Sequence, residues 1–241
     1  MKRAAFTLVE LLTAMAVVAV LATLAMSTVG IVRSTGQYAL CANSLRQLGV
    51  ATQLYLSDHS QTFFNYSENT TDGKLWYFGL EPWGSVGGPE GSRTLDETKG
   101  PLYPYIMQVG GIVVCPAFPY NEAIWKPKFK GASYGYGYNT FLSGRKVANL
   151  GSLSQVLLFG DCAQVNTFQA PASAKNPMIE EFYMIENQYQ TVHFRHGNAA
   201  NILFLDGHVE KFVPFPGTVD TRLPTANVGR ITPKGSMQYL Q

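Results

Sequence analysis

The sequence predicts an α+β fold in which one long N-terminal helix packs against a C-terminal antiparallel β-sheet. An apolar segment, 6–32, runs directly into an amphipathic segment, 33–59, and no proline interrupts residues 6–58. The second half of the chain instead contains short apolar runs separated by turn-forming residues, which is the pattern of β-strands. With 241 residues, the chain is long enough for one mid-sized domain and an appendage.

The composition excludes several classes of protein. Hydrophobic residues make up 46% of the chain and charged residues 14%, which is too little charge for a disordered or strongly acidic protein. The net charge of +2 gives no electrostatic reason to expect a nucleic-acid partner. The three cysteines, Cys41, Cys115 and Cys162, are too few and too widely spaced for a zinc finger or a disulfide scaffold.

The segment 6–32 is predicted to be a transmembrane helix. Glu10 is its only charged residue, and about 20 apolar residues suffice to cross a bilayer core. Lys2 and Arg3 precede it, and cations in a short N-terminal segment favour a cytoplasmic N-terminus. A cleaved secretory signal has a shorter apolar region, of about 7–15 residues. We therefore expect a single-pass inner-membrane anchor whose soluble domain lies in the periplasm.

The string from Lys2 to Leu12 resembles the processing site of type IV prepilins and type II secretion pseudopilins. In that family a short basic leader is removed just before a Phe by a prepilin peptidase, and the new N-terminal amine is methylated. The resemblance implies a leader of residues 1–5, cleavage between Ala5 and Phe6, and N-methylation of Phe6. The family usually has Gly before the cut, where this chain has Ala5.

The same resemblance implies a role for Glu10 in assembly. In a filament, its carboxylate would neutralise the charged N-terminus of a neighbouring subunit. Either charge alone is costly in an apolar bundle, whereas a pair in register is tolerated. We therefore expect Glu10 to set the axial register of subunits, and the alternative is a carboxylate that merely lies at the membrane interface.

The segment 33–59 is predicted to continue the helix with one face against the sheet. The residues of its stripe recur at steps of three and four: Cys41, Leu45, Leu48, Thr52 and Tyr55. This spacing is typical of an amphipathic helix. An ordinary core helix behind an anchor would show the same stripe.

The region 60–131 is predicted to be variable and loop-rich, because it is rich in Gly, Ser, Thr and Pro. Four aromatic residues lie between its loops: Trp76, Tyr77, Phe78 and Trp83. We expect them to form a small core beneath the loops, and the alternative is a ligand-stacking surface.

The region 132–215 is predicted to be the antiparallel sheet, followed by a C-terminal tail, 216–241. Apolar runs of strand length end at Asp161 and Asp206, and a further strand is expected over 192–196. Asp206 and Gly207 are expected to form the centre of a two-residue type I′ turn, which favours Asp-Gly. The strands from 192 to 212 would then form an antiparallel meander.

His196, followed nine residues later by Asp206 and Gly207, resembles the C-terminal signature of prepilin-like proteins with an H-X9-DG, or processing-associated, domain. Segments 41–49, 114–116, 136–139, 193–197 and 204–209 also resemble that subfamily. The resemblance implies a pilin-like architecture and not a particular activity.

A set of His and Asp side chains is a candidate for convergence: Asp161, His193, His196, Asp206 and His208. Asp161 and Asp206 each close an apolar strand, so neighbouring strands could bring them to related ends of the sheet. Such ligands suit a transition metal, and the carboxylates would suit calcium. The alternative, which we favour, is structural: no cofactor, with Asp206 serving the turn and His196 closing a loop. No Ser or Cys nucleophile has an evident partner, so we do not expect an enzyme.

Cys41 and Cys115 are a candidate disulfide, because the oxidising side of the membrane permits one. Cys41 lies on the helix stripe and Cys115 at the end of an apolar run, and both belong to segments that carry the family resemblance. Three separate buried thiols are the alternative.

Together these features predict a membrane-anchored pilin or pseudopilin of a type IV pilus or a type II secretion pseudopilus. Its expected partners are copies of itself, related minor pilins, the prepilin peptidase, the inner-membrane assembly platform and membrane lipid. Two alternatives stay open. One is a signal-anchored periplasmic metal-binding protein or enzyme that uses the His/Asp set. The other is a minor pilin at a filament tip that binds polysaccharide or a protein cargo.

Overall fold

The computed structural model describes residues 7–89, 91–130 and 135–241, apart from the side chains of 25–29 and 31. It confirms an α+β fold with an N-terminal helix and a C-terminal sheet. The predicted leader, the cleavage site at Ala5 and Phe6, and the methylation site at Phe6 lie outside the described residues.

The elements are as follows in chain order. The α-helices are α1 (Leu8–Asp58) and α2 (Tyr103–Gln108). Short 3-10 helices cover Glu97–Lys99, Thr140–Leu142, Val147–Asn149, Leu153–Gln155 and Pro224–Ala226. The strands are β1 (Ser67–Asn69), β2 (Gly73–Trp76), β3 (Gly79–Pro82), β4 (Tyr136–Asn139), β5 (Leu157–Asp161), β6 (Gln164–Asn166), β7 (Met178–Glu180), β8 (Met184–Ile185), β9 (Val192–His193), β10 (Ala200–Phe204), β11 (Val209–Phe212) and β12 (Val228–Gly229).

Helix α1 begins with a capping box. The Thr7 hydroxyl accepts a hydrogen bond from the Glu10 amide at 3.3 Å, and the Glu10 carboxylate accepts one from the Thr7 amide at 2.8 Å. This reciprocal pair satisfies two N–H groups that a helix start otherwise leaves unpaired. Within the described ranges, no helix combines the length and the apolar character that a membrane crossing requires. The transmembrane assignment of 6–32 therefore stays a prediction.

The second half of α1 buries the stripe that periodicity predicts. Cys41, Leu45, Leu48 and Thr52 are completely buried. Full burial of a leucine side chain contributes about 1.5–3 kcal/mol, so this face ties the helix to the sheet. Gly49 lets the two surfaces approach closely, because a Cβ there would lie 3.2 Å from a methyl group of Leu203 on β10.

The larger sheet has the strand order β11-β10-β5-β4-β8. All neighbours are antiparallel except β4 and β8, which are parallel. The sheet is therefore mixed rather than purely antiparallel. Every residue of β5 and β10 is buried, because α1 covers one face and the C-terminal residues cover the other. Coverage on both faces explains why these strands read as continuous apolar runs.

The predicted meander from 192 to 212 is correct for the hairpin of β10 and β11 but wrong for its first strand. Strand β9 covers only Val192–His193 and pairs with β12, which comes from the predicted tail. The neighbours of β10 are β11 and β5. The end of the chain is also built into the fold, because the Leu157 amide donates to the carbonyl of Tyr239 at 2.8 Å. Pairing with a distant segment is set by tertiary contacts, which local patterns do not encode.

The aromatic residues of the middle region belong largely to the main core. Tyr77 and Phe78 are 1% and 2% exposed and pack in the same cluster as Tyr138 and Phe159 of the large sheet. Trp76 is half-buried, and its indole N–H donates to Glu81. This supports the core interpretation for Trp76, Tyr77 and Phe78, whereas Trp83 is 46% exposed and lies outside that core.

The apolar run that precedes Pro116 is not a strand. Its backbone is hydrogen-bonded to side chains of α1 instead of to a sheet. The Ser44 hydroxyl donates to the Val113 carbonyl at 3.0 Å and accepts from the Val113 amide at 3.2 Å. These bonds satisfy the backbone polar groups that a ladder would otherwise pair, and they hold residues 111–116 against the helix.

Candidate functional site

The carboxylate of Asp161 is the centre of a buried polar cluster at the end of β5. The side chain is fully buried and accepts hydrogen bonds from two main partners. The guanidinium of Arg195 donates through Nη2 to Oδ1 at 2.6 Å, and the backbone amide of Asn201 donates to Oδ2 at 2.8 Å. These hydrogen bonds hold the start of β10, and the segment before it, against the C-terminal end of β5.

Arg195 ties this end of the sheet to a third segment. Its Nη2 also donates to the Gly135 carbonyl at 2.6 Å. Burial by itself would raise the pKa of Asp161, but Arg195, His196 and the Asn201 amide outweigh it and hold that pKa below its usual value. Asp161 and Arg195 therefore form a compensated ion pair, and either charge would be costly to bury alone.

The imidazole of His196 connects Asp161 to the two cysteines. Its Nε2 lies 3.3 Å from Asp161 Oδ2 and 3.5 Å from Cys115 Sγ. Cys41 and Cys115 form a disulfide with a Cα–Cα distance of 5.3 Å, which links α1 to segment 111–116. The sequence left open either this disulfide or three separate thiols. The structure has the Cys41–Cys115 disulfide and one buried free thiol, Cys162. We call Cys41, Cys115, Asp161, Arg195 and His196 the His196 cluster.

Potential metal-donor atoms of three members of this cluster lie close together, although the two sulfurs are bonded to each other in this structure. The donor atoms of Cys41, Cys115 and His196 lie within 4.8 Å of one another. Among the described residues, this is the one group of three His, Cys, Asp or Glu side chains whose donor atoms are that close. Two of these three residues were absent from the candidate metal ligands, because their distant sequence positions give no spacing signal.

His193 lies beside the cluster but does not join Asp161. Its Nδ1 is 3.3 Å from Nη1 of Arg195, and its ring packs edge-on against Phe118. Burial and the adjacent guanidinium lower the pKa of His193 well below 6.5, with the charge of Asp161 opposing them. The structure therefore holds a neutral imidazole here.

Asp206 and His208 pair with each other in the turn between β10 and β11. Asp206 Oδ1 accepts from the His208 amide at 3.1 Å and lies 2.6 Å from His208 Nδ1. The predicted type I′ geometry is wrong, because the Gly207 amide donates to the Phe204 carbonyl and places Leu205 and Asp206 at the centre. Gly207 follows with a φ of +93°, which is the glycine position of a three-residue hairpin loop.

The five predicted metal candidates therefore fall into two groups instead of one. Strands β5 and β10 are antiparallel neighbours. The C-terminal end of each strand therefore lies beside the N-terminal end of the other. Asp161 lies beside the start of β10, with His196 and His193, whereas Asp206 and His208 lie at its far end. The prediction that the carboxylates of Asp161 and Asp206 would lie at the same end of the sheet is wrong, because the two strands run in opposite directions. Arg195 was missed, although it stands between the two histidines in the sequence.

The motif His196-X9-Asp206-Gly207 thus spans one strand together with the turns at its two ends. The His196 amide donates to the Ala199 carbonyl at 2.9 Å and closes the turn into β10. The nine intervening residues are that turn, the strand and one residue of the next turn. His196 and Asp206 hold opposite ends of β10 and do not contact each other.

The N-terminus matches a known family. Residues 1–26 match the family described as Prokaryotic N-terminal methylation motif. No curated protein and no solved structure matches the chain. The chain therefore carries a prepilin-type N-terminal methylation motif, which supports a precursor of the type IV pilin or pseudopilin kind and implies processing by a prepilin peptidase.

Proposed function

We propose that this protein is a prepilin-like precursor whose mature form is a subunit of a type IV pilus-like or type II secretion pseudopilus filament. The peptidase cuts between Ala5 and Phe6, and Phe6 becomes the methylated N-terminus. The methylation motif over residues 1–26 is the observation that carries this proposal. The helix of 51 residues that begins inside this match, at Leu8, is the second support.

The N-terminal part of α1 presents an apolar surface that the protomer does not cover. Every described side chain from 7 to 24 is exposed, including Leu8 at 74% and Leu12 at 59%. A continuous exposed apolar surface marks an interaction site. In our proposal, lipid of the inner membrane covers this surface before assembly, with the soluble domain in the periplasm. Neighbouring helices, from copies or related minor pilins on the assembly platform, cover it afterwards.

Glu10 stands where this assembly requires a carboxylate. In the protomer it is exposed, and its carboxylate accepts hydrogen bonds from the amide and hydroxyl of Thr7. Thr7 is one residue after the proposed new N-terminus. An ammonium group on a neighbouring subunit can approach the same carboxylate, because no other part of the described protomer covers it. The capping box keeps the carboxylate fixed at the first turn of the helix, so its axial position along a filament is defined.

The geometry of the His196 cluster supports a structural subunit rather than an enzyme. A Cys-His-Asp relay needs one ring nitrogen of the histidine toward the nucleophile and the other toward the acid. Here the same atom, His196 Nε2, faces both Cys115 and Asp161. The cluster instead joins α1, segment 111–116, β5 and the start of β10, and so holds the helix on the sheet.

Mass spectrometry of the mature N-terminus tests the processing step. The full chain is expressed with and without a prepilin peptidase. We expect N-methylated Phe6 as the first residue only when the peptidase is present, and an Ala5→Gly variant should be cut at least as well. An intact Met1 with active peptidase, or a cut beyond residue 20, would overturn the proposal.

Crosslinking in membranes tests the role of Glu10. Glu10→Ala should insert normally but lose most filament crosslinks, because an unpaired N-terminal charge is costly in an apolar bundle. Thr7→Ala is the matched control, since it removes the capping hydroxyl but keeps the carboxylate, and it should still assemble. Normal assembly of Glu10→Ala contradicts the proposed pairing, and equal losses in both variants mean that helix capping alone explains the effect.

A further inference from the structure

We propose that the Cys41–Cys115 disulfide closes a latent metal site, and that reduction of this bond lets the protein bind one thiophilic divalent cation. The four ligands are the sulfurs of Cys41 and Cys115, Nε2 of His196 and a carboxylate oxygen of Asp161. The donor set of two sulfurs, one nitrogen and one oxygen points to Zn²⁺. Calcium is disfavoured because it takes oxygen ligands.

The distances between the donor atoms fit a tetrahedral cation. Zinc bonds are about 2.0–2.1 Å to nitrogen and about 2.3 Å to sulfur, so tetrahedral ligand atoms lie roughly 3.3–3.8 Å apart. His196 Nε2 lies 3.5 Å from Cys115 Sγ and 3.3 Å from Asp161 Oδ2. Two of the ligand pairs therefore already have the required separation. Two movements are still required: the sulfurs separate once their bond is broken, and the Asp161 carboxylate approaches them, because it lies outside the set of donor atoms that are within 4.8 Å of one another.

The charge of the buried site is the same in both states. With the disulfide intact, the carboxylate of Asp161 is balanced by the guanidinium of Arg195 at 2.6 Å. Reduction and metal binding add two thiolates and one divalent cation, which also sum to zero. Because an uncompensated charge is costly in a buried site, the two cysteines can bind as thiolates only together with a divalent cation.

The chemical steps balance with a dithiol as the reductant. The dithiol passes two electrons and two protons to the Cys41–Cys115 bond and is itself oxidised to a disulfide. The two cysteine thiols then release their protons to water as they bind the cation, and the neutral imidazole of His196 carries its proton on Nδ1 so that Nε2 is free to bind. No other oxidant or reductant is needed.

Residues around the ligands are already fixed by hydrogen bonds. Arg195 and the Asn201 amide hold Asp161 in place, and such outer contacts orient metal ligands. Asn201 also carries a buried side-chain amide, whose nitrogen and oxygen have no hydrogen-bond partner among the described residues.

Thiol protection tests the proposal on the full chain in mild detergent. The protein is reduced with a dithiol without oxygen, freed of reductant, incubated with or without Zn²⁺, and alkylated before peptide mapping. We expect Zn²⁺ to slow alkylation of Cys41 and Cys115 at least about tenfold and to leave Cys162 unchanged. Cys162 is a buried thiol outside the site and serves as an internal control. Equal alkylation rates at Cys41 and Cys115 with and without Zn²⁺ overturn the proposal.

Cobalt spectroscopy identifies the ligands. Reduced protein with Co²⁺ should give the visible and near-ultraviolet bands of a tetrahedral thiolate site, and Zn²⁺ should remove them. His196→Ala should weaken Co²⁺ binding at least about tenfold, whereas His59→Ala, at an exposed position, should bind as the wild type does. An octahedral spectrum, or equal affinity in wild type and His196→Ala, overturns the assignment. The wild-type measurement stands even if a variant fails to fold.

Discussion

The two ends of β10 carry the same pair of residue types in opposite surroundings. At one end His196 lies against Asp161, and their side chains are 2% and 0% exposed. At the other end His208 lies against Asp206, and their side chains are 41% and 38% exposed. The first pair includes a buried arginine and touches a disulfide. The second pair closes a hairpin turn in contact with water.

From this difference we expect burial, and not residue type or spacing, to decide what a His–Asp pair contributes to stability. Water stabilises the separated charges of an exposed pair, so forming that pair contributes little. A buried pair that loses one member leaves a charge with no compensation. The two ends of β10 therefore offer matched experiments within one strand, and the following predictions run from the largest expected effect to the smallest.

Asp161→Ala should destabilise the protein most. It leaves the guanidinium of Arg195 buried without its carboxylate, and breaking such a pair costs about 3–5 kcal/mol. Urea denaturation of the full chain with the disulfide intact measures the loss in unfolding free energy. Asp206→Ala is the matched control at the exposed end. Equal losses in the two variants would contradict the comparison.

His196→Ala should lower the unfolding free energy by about 1–3 kcal/mol, because Asp161 loses a buried hydrogen-bond donor. His208→Ala removes a partner from an exposed carboxylate and should change it by less than about 1 kcal/mol. Thermal melts of the two variants, compared at equal detergent concentration, provide the measurement. A larger effect at His208 than at His196 would reverse the proposed ranking.

His193 should make the protein less stable as the pH falls below about 6.5. Its pKa is lowered in the folded state, so below its ordinary value the unfolded chain binds a proton that the folded chain excludes. Stability then falls with decreasing pH, by at most about 1.4 kcal/mol per pH unit from this one group. Melting temperatures from pH 7.5 to 5 should show this slope, and His193→Gln should flatten it. The exposed His59→Gln should retain the wild-type slope, and an unchanged slope in His193→Gln would refute the assignment.

Asp206→Ala should lower the unfolding free energy by only about 0.2–1 kcal/mol, because the turn retains its backbone hydrogen bonds and the lost pair is exposed. Gly207→Ala in the same turn should cost more than Asp206→Ala, since a φ of +93° strains any residue with a Cβ. Denaturation midpoints of both variants measure this order. A loss above about 2 kcal/mol for Asp206→Ala would mean that the exposed end carries a role not seen in these contacts.

Chelation should have the smallest effect of all. With Cys41 and Cys115 bridged, their sulfurs are not available as metal ligands, so a chelator should not shift the melting temperature of the oxidised protein. The same chelator should lower that of the reduced, Zn²⁺-loaded protein. A large shift in the oxidised protein would show that a metal binds elsewhere in the chain.

Local patterns predicted the parts of the fold that depend on periodicity. The buried stripe of α1 could be predicted because side chains three and four residues apart share one face of a helix. Strands β5 and β10 could be predicted as buried because both faces of the sheet are covered, so their residues are almost all apolar. The pairing partner of β9 could not, because β12 lies more than thirty residues away and nothing in either short strand specifies the other.

The sequence by itself determined the prepilin-type N-terminus, the long helix and the strand-rich second half, because each depends on residues close together in the chain. Only the tertiary structure decided what His196 and the cysteines do. The antiparallel direction of β5 and β10 separates Asp161 from Asp206, and the packing of α1 brings Cys41 to Cys115 beside His196. Such contacts depend on strand order and helix docking, which arise from the burial of many side chains at once and leave no spacing in the sequence.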